Sequence, residues 1–236
     1  MSPRVSIIIP TLDEGRYLPG LLASIRRQTM TDFEILVADS GSTDGTVEVA
    51  AAEGVRVLPG DRKGPGEGRN RGAKVAAGEV FVFTDADCIL PPNLLEVALE
   101  YAQTPGVVGG ASGFMPADGR AIDRLLFWLA NAYQRAMTAW GFPHNAGYCF
   151  FFRRDAWERL GGIREEMLLN ETHDIAFRSR AVGRFVSLPV TVHTSMRRFR
   201  RYGYAQTILR EYVASTLLFY LTGRTPSEKF RPKPAR

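Results

Sequence analysis

The sequence predicts an α/β fold, with a mostly parallel central sheet, helices on both faces and an amphipathic C-terminal helix. Two observations predict it. Over the first 110 residues, short β-rich apolar runs alternate with segments of helical periodicity, the pattern of consecutive βα units. The run at 80–84, Val-Phe-Val-Phe-Thr, is apolar enough to be buried on both faces, as strands in such sheets are. The chain has 236 residues, 45% hydrophobic and 23% charged, enough for one large domain with a sizeable core.

The elements follow in order. Residues 5–9 form the first strand. Leu18, Leu21, Leu22 and Ile25 give 18–28 an apolar face at helical spacing. Residues 33–38 are the second strand, and Asp44 is placed to cap a helix over 46–53. A third strand covers 55–58. The Gly-rich stretch 60–68 reads as a flexible cationic loop that opens a helix over 69–77. The fourth strand is 80–84, Pro91-Pro92 starts a helix over 93–102, and 107–113 is a further strand.

After Asp118 the pattern changes. A long helix over 121–140 has a broad apolar face from Leu125, Leu126, Trp128, Leu129, Tyr133 and Met137, which either packs in the core or meets a lipid-linked molecule. Then come a strand at 148–152, a short helix at 155–160 stopped by Gly161-Gly162, and a helix at 174–181. Short strands at 185–188 and 190–194 precede a helix over 200–222, and the Pro/Lys/Arg end reads as frayed. This divides the chain into 1–113, 114–195 and a basic extension, 196–236.

Composition narrows the partners. Cys88 and Cys149 form no spacing framework, which suggests free thiols in a reducing compartment. The start of the chain lacks the flanks of a signal peptide, and no apolar run has transmembrane length. Residues 196–236 hold ten Lys/Arg and two Glu, a balance of +8, against −3 for the rest. A basic tail on a mildly acidic body suggests either an anionic partner or a solvated helix face. These features point to a cytoplasmic protein in peripheral contact with the inner face of the cell membrane, and not to a nucleic-acid binder.

The chemistry gathers at strand ends. Asp85 and Asp87 leave the fourth strand at i, i+2 spacing, which points two side chains the same way. Nearby carboxylates repel unless a cation sits between them, and Mn²⁺ or Mg²⁺ with free positions for phosphate oxygens suits the pair. The first strand ends in Pro10-Thr11-Leu12-Asp13-Glu14 and the second in Asp39-Ser40-Gly41-Ser42, so three strands deliver polar residues to one rim, where open α/β sheets bind ligands. Asp39 is able to accept a hydrogen bond from a nucleobase N–H. Arg69 or Lys63 would serve as counter-charge to phosphates, unless Arg69 pairs with Glu67 or Asp87.

At this point the chain resembles family 2 glycosyltransferases of the GT-A fold. The resemblance rests on residues 7–14, on Val37-Ala38-Asp39-Ser40-Gly41-Ser42-Thr43-Asp44-Gly45-Thr46, and on Arg69-Asn70-Arg71-Gly72-Ala73. It continues through Phe83-Thr84-Asp85-Ala86-Asp87 and Phe152-Arg153-Arg154-Asp155 to Gly161-Gly162, and spans about 4–195. It implies an inverting transferase that moves a sugar from a nucleotide-diphospho-sugar to a sugar or polyprenyl-phosphate-type acceptor. Residues 1–113 would bind the donor and 114–195 the acceptor. Pro10, Thr11, Glu14, Asp39, Arg69 and Asp85 would contact the donor, and Asp85 and Asp87 would serve the metal. Asp13 stands where the family usually has Asn.

The larger departure lies at Asn170-Glu171-Thr172-His173-Asp174, where Thr172 takes the place of the family's catalytic Asp. A threonine hydroxyl ionises far too high for a general base. Base catalysis then falls to Asp174, Glu171 or His173, unless a phosphate acceptor, already ionised, needs none. Arg197 and Arg198 would bind the departing diphosphate or an acceptor phosphate, or lie on a solvated face. Two rivals remain. A non-catalytic nucleotide-sugar or lipid-phosphate binding protein of this fold is motivated by Thr172. A nucleotidyltransferase would need a Gly-rich basic loop directly after the first strand, and 10–15 is not one.

Overall fold

The apolar runs form the spine of one sheet. The computed structural model describes residues 3–167 and 169–222; the expected frayed end at 223–236 lies outside them. The strands are β1 (Val5–Thr11), β2 (Phe33–Asp39), β3 (Arg56–Pro59), β4 (Val80–Thr84), β5 (Cys88–Ile89), β6 (Val107–Pro116), β7 (Cys149–Arg153) and β8 (Arg184–Thr194). They lie in the order β3-β2-β1-β4-β7-β6-β8-β5. The pairs of β1 with β2 and β4, of β2 with β3 and of β6 with β8 are parallel. β7 enters antiparallel between β4 and β6, and β5 runs antiparallel to β8. The sheet is therefore mixed, with β5 and β7 running against the common direction.

The helices are α1 (Leu18–Arg26), α2 (Thr46–Ala52), α3 (Pro65–Val75), α4 (Leu94–Gln103), α5 (Ala121–Ala139), α6 (Arg154–Leu160), α7 (Glu171–Arg178), α8 (Arg197–Tyr204) and α9 (Ser215–Thr222). Strand alternation divides the core between the two faces. Ile7, Ile9, Val80, Val82 and Phe151 face the α1 side, while Ile8, Phe81, Phe83, Phe150 and Phe152 face the other with Trp157. Trp157 stacks on Phe83 with ring centroids 4.4 Å apart. Cys88 and Cys149 are free and buried.

Four expectations are corrected, and one strand has no counterpart in the sequence pattern. The glycine stretch 60–68 is not all loop: α3 begins at Pro65, and its glycines let the helix lie against β1, since a Cβ on Gly72 would come 2.4 Å from Ile8 Cγ2. The helix expected at 174–181 begins at Glu171, because Asn170, at φ +60°, makes the preceding turn. The strands at 185–188 and 190–194 are one strand, β8. Its ladder with β6 skips from Ala111–Ser187 to Gly113–Thr191, and Pro189, which cannot donate to a ladder, sits in that irregularity. The two-residue β5 is too short to have been seen as a pattern. The segment set apart as an extension packs on the body, with Met196, Phe199 and Phe219 buried. Gly203, at φ +77°, kinks that segment, and Ala205–Ala214 continues it as a π-helix.

Candidate active site

β1, β2 and β4 end on one rim, in register: Thr11 lies beside Asp39 across the β1–β2 ladder. Two loops meet there. The Asp13 N–H donates to Ser42 Oγ (2.9 Å), the Glu14 N–H to Thr46 Oγ1 (2.8 Å), and the Gly15 N–H to Asp44 Oδ2 (2.9 Å). Asp44 also accepts from the Thr46 N–H at 3.1 Å, so it steadies the start of α2 from one residue outside the cap. Pro10, beside Ala38 in the ladder, forms the floor under Gly68 of α3.

Asp39 holds this rim together. Its Oδ1 accepts from Thr11 Oγ1 (3.0 Å) and Ser42 Oγ (2.5 Å), and its Oδ2 from the Gly41 and Ser42 N–H groups (both 2.9 Å). A carboxylate has about four acceptor positions, and all four are taken. A nucleobase N–H would have to displace one of these donors.

Asp85 and Asp87 lie in the turn that follows β4 rather than on the extended strand, and each carboxylate carries an arginine. The buried Arg69 gives Nη2 to Asp85 Oδ1 at 2.7 Å and Nη1 to Glu171 Oε1 at 3.0 Å. Arg69 thus ties the end of β4 to the start of α7, rather than pairing with Glu67 or Asp87; Glu67 is taken by Arg71. Lys63 is exposed and lies 3.7 Å from Asp61. Asp87 Oδ2 accepts from Ser195 Oγ at 2.6 Å and lies 2.9 Å from Arg197 Nε. Arg197 also grips Glu14 with two hydrogen bonds of 2.6 Å and covers the Tyr17 ring. Burial pushes the Glu14 carboxyl up to about 7, against the pull of Arg197. Burial also raises Asp85 to about 6, opposed by Arg69 and reinforced by the negative charges of Asp87 and Glu171.

Of the residues proposed to remove a proton, only Glu171 is brought to this cleft. Asp174 is buried one turn further along α7, held by Arg178 Nε (2.6 Å) and Arg164 Nη1 (3.3 Å). His173 packs between the His144 and Phe219 rings, and among the described residues neither of its ring nitrogens has a hydrogen-bond partner. Burial, with His144 beside it, lowers His173 to about 3. The Thr172 hydroxyl donates to the Asn145 carbonyl at 3.2 Å. Arg198 is half-buried near Tyr148, one position beyond the cleft arginine.

Three cleft residues escaped sequence reasoning. Ser195 and Asn145 arrive from segments without a distinctive pattern. Tyr17 lies in an ordinary helix start. The signal for Ser195 was its place directly after a strand that ends on the same rim.

The sequence model of glycosyl transferase family 2 matches residues 6–161, and the chain belongs to that family. An uncharacterized glycosyltransferase of Nostoc sp. is 31% identical over 172 residues, covering 66% of this chain and 53% of that protein. A PGL/p-HBAD biosynthesis glycosyltransferase of Mycobacterium tuberculosis is 39% identical over 167 residues, 62% of this chain and 65% of that one. The chain thus spans between about half and two-thirds of these relatives. Among solved structures, the mannosyltransferase PcManGT of Pyrobaculum calidifontis, in complex with GDP-Man and Mn²⁺, superposes with a TM-score of 0.72 at 24% identity, over 98% of this chain and 68% of that one. TarS 1-349 of S. aureus gives 0.66 at 17% identity, over 93% and 75%. The fold is that of GT-A glycosyltransferases.

Proposed function

We propose that this chain is an inverting glycosyltransferase that uses a nucleotide-diphospho-sugar. The observation that carries this reading is the rim itself: Glu14, Asp85, Asp87 and Arg197 at the carboxyl ends of β1, β4 and β8, interleaved with Arg69 of α3 and Glu171 of α7. PcManGT, solved with GDP-Man and Mn²⁺, supports a donor of that class and a divalent ion.

The residues fit Mn²⁺ or Mg²⁺. Asp85 and Asp87 offer hard oxygens, and each already holds a cationic group, so a positive charge is tolerated at both. Among the described residues, no three His, Cys, Asp or Glu side chains gather as a metal cage. Donor phosphates would therefore complete the shell. When bound, the ion would neutralise charge on the leaving diphosphate.

This chain's own residues supply the rest. Asp39 orders the Gly41–Ser42 turn against which the nucleoside lies. Arg197, within reach of Glu14 and Asp87, is placed to turn a guanidinium toward the departing diphosphate. With a hydroxyl acceptor, Glu171 would take its proton as that oxygen attacks the sugar on the face opposite the diphosphate. Arg69 keeps Glu171 oriented.

A phosphate-bearing acceptor is favoured by a second observation. Among the described residues, Arg69 Nε and Asn145 Nδ2 are buried N–H donors without partners, and both belong to the wall around Glu171 and Thr172. Such donors suit an oxygen-rich anion that needs no base. The deciding experiment is single-turnover transfer to a polyprenyl phosphate and to a sugar alcohol, with nucleotide-sugars first screened by calorimetry in Mn²⁺. Absence of transfer with every donor that binds would leave the binding-protein reading.

A further inference from the structure

Helix α5 is packed inside out. Its buried positions are Asp123, Phe127, Asn131 and Gln134, three of them polar. Asn131 accepts from the Phe114 N–H (3.0 Å) and donates to the Phe114 carbonyl (2.6 Å). Gln134 donates to the Ser112 carbonyl and accepts from the Ala146 N–H, both at 3.1 Å. Asp123 accepts from the Tyr204 hydroxyl. The polar side of the helix is therefore fully engaged with the protein.

The outward side is apolar. Trp128 is 57% exposed and Leu125 52%, with Ile122, Leu129 and Tyr133 close behind. At helical spacing these positions span about 140° of the circumference, and only alanines lie between them. Trp140, just past the helix, is 75% exposed. The C-terminal segment adds Leu209, Val213, Leu217 and Leu221, all exposed at every fourth position. That segment is tied to α5 near both ends. Tyr204 meets Asp123, and the Tyr220 ring meets His173, which stacks through His144 toward Tyr133.

Charge indicates the occupant. Arg124 and Arg135 are exposed along one margin of the α5 face, next to Trp128, and the helix's only acid, Asp123, points inward. Self-pairing of two copies through antiparallel α5 helices would set arginine against arginine. An apolar face with Trp and Tyr at its borders and long cationic side chains on its flank matches a headgroup–acyl boundary. We propose that the face formed by α5 and residues 209–221 docks on an anionic phospholipid bilayer, with Arg124 and Arg135 at the depth of the phosphates. No described helix is long and apolar enough to cross the membrane. The docking does not depend on the sugar-transfer reading, and its test requires no donor.

The test is flotation of the full chain with vesicles of phosphatidylcholine alone or mixed with phosphatidylglycerol. Binding is expected to the mixed vesicles, weakening by about tenfold or more on phosphatidylcholine alone. Brominated acyl chains should quench tryptophan emission on binding. Leu125→Ser combined with Leu129→Ser leaves the inward contacts intact. It should weaken vesicle binding about tenfold or more with the thermal unfolding midpoint unchanged. Arg124→Gln with Arg135→Gln should weaken binding to the mixed vesicles only. Failure of the native chain to bind either vesicle overturns the proposal, as does undiminished binding by the serine variant. A dimer in sedimentation velocity that the serine variant dissociates, without vesicle binding, would assign the face to a second copy instead.

Discussion

Asp39 and Glu171 show how a side chain's role depends on what already surrounds it. Asp39 lies where the proposed donor's nucleobase would be read, yet Thr11, Gly41 and Ser42 fill its acceptor positions. Asp39→Ala should therefore weaken uridine and adenosine nucleotides equally, by about 1–3 kcal/mol, through loss of the turn. A loss confined to one base, seen by calorimetry, would restore direct reading. Glu171 and Asp174 lie three residues apart on one helix and face different surroundings. Glu171→Gln should lower kcat on a hydroxyl acceptor by roughly 10²–10⁴-fold with little change in donor affinity. Asp174→Ala instead takes the carboxylate from Arg178 and Arg164 and should cost about 3 kcal/mol of stability, read from urea midpoints. A larger effect of Asp174→Ala than of Glu171→Gln on single-turnover transfer, at equal folded fraction, would reverse the assignment.

Packing at the level of elements explains the glycines and the histidines. α3 approaches β1 so closely that Gly72→Ala should destabilise by about 1–3 kcal/mol through a clash with Ile8. An unchanged thermal midpoint would show that the helix has room to shift. α7 and the loop before β7 press His173 and His144 together among aromatic rings. Burial lowers His144 to about 4 and His173 to about 3. Both bind a proton more readily when unfolded. Their contribution is therefore complete above about pH 6.5 and is lost as pH falls toward the folded values, by up to about 1.4 kcal/mol per unit for each histidine. Glu14 and Asp85, both raised, act in the opposite sense over much of that range. A comparison with His173→Phe cancels their effect. The variant should gain on the native protein between pH 7 and pH 5 in urea unfolding, and parallel curves would count against the buried pair.

For the molecule as a whole, the C-terminal segment is both core and cleft. Met196, Phe199 and Phe219 are buried, while Ser195 and Arg197 reach Asp87 and Glu14. Deletion after Thr194 should abolish cooperative unfolding and expose dye-binding apolar surface, because the Phe127–Phe199 contact and its neighbours are lost. A truncated chain that melts cooperatively near the native midpoint would mean the segment is an appendage. The arrangement also joins the charged rim to the apolar face of α5 through one continuous stretch of chain.

The sequence by itself determined the parallel half of the sheet, because strands buried on both faces must be apolar throughout and βα units alternate visibly. It also placed Asp39, Asp85 and Asp87 on one rim, since parallel strands end together. It identified the family through local motifs. Only the tertiary structure decided which side chains meet. The antiparallel entry of β7 between β4 and β6 depends on long-range pairing that no periodicity encodes. The Arg69 link between Asp85 and Glu171 spans a separation of 102 residues in one of its two bonds. The apolar periodicity of α5 was plain in the sequence, but periodicity specifies that a face exists and not which way it turns. Its polar side found unpaired backbone groups of β6 and Ala146 to satisfy, and that left the apolar side facing out.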